Sequence, residues 1–145
     1  MNGRDRSGDE AAIRALIGNH FEGMKWSPGQ QADWSSFASD FLPGATLYPA
    51  ARPVEPKSLG QFVERMKGVA ENVLHTFEEH TRGMEILLFG NVAVVLAASE
   101  MLENGTEVNH DVSGYLLVKD GSAWRIAAHA WDKAGEEMPV PAHLG

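Results

Sequence analysis

The chain has 145 residues, 43% of them hydrophobic, with 20 acidic against 12 basic side chains, a formal net charge of −8 and no cysteine. Those numbers describe one globular domain, and they exclude disulfide, thiolate-metal, iron–sulfur and cysteine-nucleophile chemistry. The acidic balance also argues against nucleic acid, whose phosphates are held by clustered Lys and Arg.

Met1 to Gly8 is charged and is followed by no uninterrupted apolar run, so no secretory signal is expected. The longest apolar run, Val92 to Ala98, is far short of the roughly 20 residues of a membrane span. No membrane partner and a cytoplasmic location are the default expectations.

Ile13, Leu16, Ile17, Phe21 and Met24 recur at helical spacing from Asp9 to Trp26, with His20 on the same stripe. Asp9 and Glu10 place negative charge where the helix dipole favours it. A second helix is predicted over Ala32 to Leu42, with Trp34, Phe37 and Phe41 on one side and Pro43-Gly44 as its stop. Ala45 to Tyr48 reads as a short strand closed by Pro49. Ser58-Leu59-Gly60-Gln61 matches a capping box and opens a third helix with Leu59, Phe62, Val63, Met66, Val69 and Val73 inward. Beyond Asn72 the period shifts toward two. Segments near Leu74–Phe89, Val92–Glu103, Thr106–Lys119 and Ala123–Lys133 are separated by Gly90-Asn91, Asn104-Gly105 and Asp120-Gly121, each a turn signal, so a long antiparallel meander is predicted.

The expected class is therefore α+β, three N-terminal helices on a curved antiparallel sheet, forming one domain over 1–145 with its core at about 9–133. The tail from 134 to 145, with Pro139 and Pro141, has no period and is expected to run along the surface. Helices covering only part of a concave sheet leave a cavity, where function would sit.

The stretch Asp33 to Leu47, DWSSFASDFLPGATL, resembles the second helix and first strand of the nuclear transport factor 2-like superfamily. Gly114 to His129, GYLLVKDGSAWRIAAH, resembles its closing hairpin. The resemblance covers about residues 9 to 133 and implies that superfamily's cone-shaped, cystatin-like fold. It leaves function open, because the scaffold hosts ketosteroid isomerases, scytalone dehydratase, limonene epoxide hydrolase, SnoaL-like polyketide cyclases and non-enzymes. The isomerases' catalytic Asp on the first strand would fall at Tyr48-Pro49-Ala50, which carries none. Their protonated Asp would fall near Ser113-Gly114, and their helix-1 Tyr at His20. The epoxide hydrolases' Asp-Arg-Asp set lacks an inward Arg here, although Tyr48 matches their Tyr.

A hairpin pairing across Asp120-Gly121-Ser122 places Asn109, Asp111, Ser113 and Tyr115 on one face with His129 and Trp131, and Val108, Val112, Leu116 and Val118 on the other with Trp124 and Ile126. By the resemblance, the first set faces the cavity. An Asp or Ser beside a His on facing strands can fix the imidazole tautomer, so His129 is the candidate base and Asp111 its orienting partner. A strict two-residue turn would instead set His129 opposite Val112. Tyr48 or His20 is the candidate donor to a developing oxyanion, and Trp34, Ser113 and Trp131 are candidate ligand contacts. The plainer readings are a core histidine for His20, a cross-strand polar pair for Asp111 and His129, packed rings for the tryptophans and a solvated turn for Asp40. His75, His80, His110 and His129 match no compact ligand motif, so no metal is expected. Glu78-Glu79 and Glu136-Glu137 read as solvent-facing charge.

The functional expectation is a pocket for a small apolar molecule, serving a lyase, isomerase or hydrolase that works by acid–base chemistry without cofactor. The alternative is a non-catalytic ligand-binding or dimer-assembly module. A homodimer is expected, because Val92 to Ser99 is apolar on both faces of its strand.

Overall fold

The computed structural model describes residues 6–145; of the charged stretch Met1 to Gly8, residues 1–5 lie outside the described residues. Helix α1 spans Arg6–Asn19 and buries Ile13 and Ile17, one turn apart, against the sheet. Asp9 in its first turn is itself buried, accepting hydrogen bonds from Lys119 Nζ (2.8 Å) and Trp124 Nε1 (3.1 Å). It ties the helix to the far end of the last hairpin, beyond the dipole role read from the sequence.

The helix predicted through Trp26 ends at Asn19 and tightens into a 3₁₀ turn, His20–Glu22. The physical reason is Gly23. A Cβ there would lie 2.8 Å from Phe37 N and 2.9 Å from Asp33 O, so the next helix crosses where only glycine fits. The chain turns away, and Trp26 bridges to Phe77.

Helix α2 spans only Trp34–Ser39, capped by Asp33. It stops before Leu42 because the Asp40 carbonyl accepts from Ile126 N (2.8 Å), drawing the next residues into the sheet. Pro43-Gly44 therefore lies inside strand β1, Phe41–Tyr48, at an irregularity where Gly44 takes φ +80°. A two-residue strand β2, Lys57–Ser58, which the periodicity does not reveal, precedes helix α3, Leu59–Asn72. The capping box forms as read, with Ser58 Oγ accepting from Gln61 N and Gln61 Oε1 from Ser58 N. Phe62 is buried and Val63, Met66 and Val69 pack beside it, whereas Val73, expected inward, ends exposed at the helix terminus.

Strands β3 (Phe77–Phe89), β4 (Val92–Glu103), β5 (Glu107–Asp120) and β6 (Ala123–Lys133) form the meander, and the sheet runs β2-β1-β6-β5-β4-β3. It is antiparallel except that β1 runs parallel to β6. Each strand's inward residues and the helices' apolar stripes meet in one core, at roughly 1.5–3 kcal/mol per fully buried large side chain.

The last hairpin follows neither expected register. Asp120 pairs with Ala123 across Gly121-Ser122, and a bulge at Ala127 then shifts the ladder so that Tyr115 faces His129 and Ser113 faces Trp131. The bulge restores the expected face for the β5 residues from Tyr115 back to Asp111. Before the bulge, the Gly121-Ser122 turn reverses the other half: Trp124 and Ile126 are buried inward with Leu117, not outward with Val112 and Leu116.

The tail does not simply follow the surface. A 3₁₀ turn, Ala142–Leu144, buries Leu144 completely, its carbonyl seated on Gly83, where a Cβ would stand 2.7 Å from Leu144 O. Among the described residues no helix is long and apolar enough to cross a membrane.

Candidate active site

The helices leave part of the concave face uncovered, and a cavity of about 520 Å³ lies there. Its walls are apolar, from Phe21 and Met24 after α1, Phe62, Met66 and Val69 of α3, and Phe77 and Trp131 of the sheet. Among the polar side chains that reach it from the strands, four are at least nine-tenths buried: Glu79, Asp111, Ser113 and His129.

His129 is stacked on Tyr115, with ring centroids 4.3 Å apart, and tilted against Trp131 at 4.7 Å. Its Nε2 lies 2.9 Å from Ser113 Oγ, while Nδ1 has no hydrogen-bond partner among the described residues. Burial, with His20 nearby, holds its pKa well below the ordinary imidazole range, so the ring is neutral. Asp111 is not its partner. It stands opposite Lys133, one inward position beyond Ser113, with Oδ1 unpartnered. The predicted Asp111–His129 contact is replaced by Ser113–His129 because the tighter turn and the bulge together shift β6 by two residues against the expected pairing.

Asp111 keeps its place in the cavity. Burial raises its pKa to about 6, against the opposing charges of His110 and Lys133. Beside it stands Glu79, which the sequence reading assigns to solvent with Glu78. Glu79 is buried, and burial with the neighbouring Asp111 charge raises it well above the ordinary carboxyl range, while Ser99 opposes. Ser99 itself pairs with Asp111 across the ladder. The alternation carries a signal for this: Glu79 lies two residues beyond Phe77, on the same inward face.

The remaining candidates sit elsewhere. Tyr48 is exposed and outside the cavity, although Pro49 and Ala50 beside it line the mouth. His20 is fully buried behind the cavity wall, stacked on Phe37 at 4.5 Å, with Nδ1–H donating to Asp40 Oδ2 at 2.7 Å and Nε2 unpartnered among the described residues. Asp40, read as a solvated turn, is therefore the partner of a buried imidazole. Tyr115, edge-on to His20 and stacked on His129, is buried with its hydroxyl unpartnered among the described residues, and burial with the Glu79 charge keeps it protonated. Trp34 lines a separate groove with Trp26 rather than the cavity. His80 pairs with Glu78 and His110 with Glu100, and no group of three or more ligands able to hold a metal ion forms among the described residues.

No protein-family model matches this sequence, and no curated protein matches it. Solved structures match its shape. A proposed dehydratase of the nuclear transport factor 2-like family from Streptomyces avermitilis superposes with a TM-score of 0.71 at 13% identity, over 91% of this chain and 100% of that one. A protein of unknown function with a cystatin-like fold from Nostoc punctiforme gives 0.71 at 8%, over 90% and 94%. A hexachlorocyclohexane dehydrochlorinase from Novosphingobium barchaimii gives 0.69 at 14%, over 88% of each chain. The chain has the nuclear transport factor 2-like, cystatin-like fold.

Proposed function

We propose that this domain binds a small, largely apolar molecule in its cavity and catalyses proton transfer on it without cofactor, as a lyase, isomerase or hydrolase. The observation that carries the reading is the meeting of a neutral imidazole with two carboxyl groups of raised pKa in one apolar chamber. Such a set supplies a base and an acid at the same pH. With its proton on Nε2, donated to Ser113, His129 offers the lone pair of Nδ1 as base. A protonated Asp111 or Glu79 then donates to the oxygen or leaving group where negative charge develops. The donor role expected of Tyr48 or His20 falls to these carboxyls, which line the cavity where the other two do not. Two proteins of similar fold are named for eliminations, a dehydratase and a dehydrochlorinase, which favours the lyase within this class.

Turnover of a dienone, an epoxide and a cyclic hydroxy-ketone, with Asp111→Ala and His129→Ala beside the unaltered protein, tests the reading. Turnover of any member that falls at least a hundredfold in His129→Ala supports it. Ligand binding without turnover, unchanged in both variants, leaves a non-catalytic binding module.

The same reading includes a homodimer. Phe89, Leu87, Val94, Val92, Leu116 and Leu96 form a contiguous exposed apolar surface on the convex side of β3, β4 and β5, between 83% and 39% exposed. A second copy of the chain covering that face removes it from water.

A further inference from the structure

The cavity lining carries three cations in a chain of net charge −8, beside the carboxylates Glu103 and Asp132. Lys57 reaches it from β2, Arg65 from α3 and Lys133 from the end of β6. Two of these have counter-charges: Lys57 pairs with exposed Glu55 at 3.2 Å, and Lys133 stands across the ladder from Asp111. The carboxylates at the same opening are engaged too, Glu103 accepting from the Asn109 amide and Asp132 from the Lys133 backbone N–H. Glu64, beside Arg65 in sequence, pairs with Lys67 at 3.5 Å. The Arg65 guanidinium makes no hydrogen bond or ion pair among the described residues. Lys57 and Arg65 also border two neighbouring depressions, which Glu64 and Glu55 line as well.

The interior offers the opposite surroundings, aromatic and aliphatic walls with Asp111 and His129 at its polar end. An exposed guanidinium at the rim of an apolar chamber matches a ligand that is charged at one end and apolar along its body. The charge keeps part of its water, and the planar fork meets a carboxylate with two parallel hydrogen bonds. A cationic ligand meets Arg65, Lys57 and Lys133 at the rim, which repel it.

Resting on the cavity reading above, we infer that the molecule this site takes is a carboxylate with an apolar, ring-sized body. Its acid group lies at Arg65 and Lys57 in the mouth, and its body extends toward Asp111 and His129.

Calorimetric titration of the whole chain at pH 7.5 with 2-naphthoate, methyl 2-naphthoate and 2-naphthylmethylamine tests this. The carboxylate is expected to bind about tenfold more tightly than the ester, with the preference shrinking as salt is raised. Arg65→Gln with Lys57→Gln, both at the surface, should bring the acid down to the ester's affinity and leave the ester unchanged. Equal binding of acid and ester, tighter binding of the amine, or a preference that survives the double variant overturns the inference while leaving the cavity reading standing. Binding of none of the three overturns both.

Discussion

Ser113 Oγ and His129 Nε2 lie 2.9 Å apart on neighbouring strands, and this contact sets the orientation of the one imidazole that reaches the cavity. Ser113→Ala leaves Nε2 buried without a partner, a cost of about 1–3 kcal/mol. Chemical denaturation should show that loss. Any turnover should fall about tenfold or more as the ring loses its fixed tautomer. An alanine variant as stable and as active as the parent would show that the contact is incidental.

Asp111 makes a prediction of opposite sign. Its pKa is raised to about 6 in the fold from 3.8, so between those values the folded state holds a proton that the unfolded chain has lost. Stability therefore falls as pH rises from about 4 to 6, and the full penalty, about 2–3 kcal/mol, persists above. Asp111→Asn should raise the melting temperature at pH 7.5 and lose that advantage near pH 4, as followed by calorimetry. His129 contributes oppositely: its lowered pKa costs stability as pH falls below 6.5.

Buried His20 and half-buried Asp40 form a pair outside the cavity. Asp40→Ala should cost about 1–3 kcal/mol, because it strands both imidazole nitrogens in the core. His20→Phe, in a nest of Phe21, Phe37 and Phe41, should be tolerated far better. Nitrogen NMR of the ring should place its proton on Nδ1.

Gly83 has no room for a side chain under Leu144. Gly83→Ala should lower stability by about 1–3 kcal/mol and expose the tail to limited proteolysis. Cleavage rates indistinguishable from the parent's would contradict that packing.

The convex face should bring two copies together, and sedimentation at micromolar concentration should find a dimer. Val94→Glu with Leu116→Glu puts charge at the centre of the patch and should give a folded monomer. A monomeric parent would remove the homodimer from the account.

Where a residue's role depends on strand parity alone, the sequence made it legible: β4 and β6 have the boundaries that turn dipeptides and alternation indicate, and Asp111, Ser113 and His129 share the expected face. What escaped depends on irregularities that periodicity does not encode. The two-residue turn at Gly121-Ser122 put Trp124 inward, and together with the bulge at Ala127 it exchanged Asp111 for Ser113 beside His129. The close approach at Gly23 cut the first helix short, and the pull of Ile126 on Asp40 turned the end of the second into strand. Glu79 was missed for another reason: a carboxyl is placed in solvent by default, and its inward parity was outweighed by its charge.

Proton exchange at carbon tests acid–base catalysis most directly. With a cyclic hydroxy-ketone in deuterated buffer at pH 5.5, where Asp111 holds its proton and His129 is neutral, proton NMR should show deuterium entering the position beside the carbonyl faster than in buffer alone. The excess should vanish in His129→Gln and fall steeply in Asp111→Asn. Exchange at the buffer rate while the ketone is demonstrably bound, or an excess untouched by His129→Gln, would contradict the assignment of this cavity as an acid–base site.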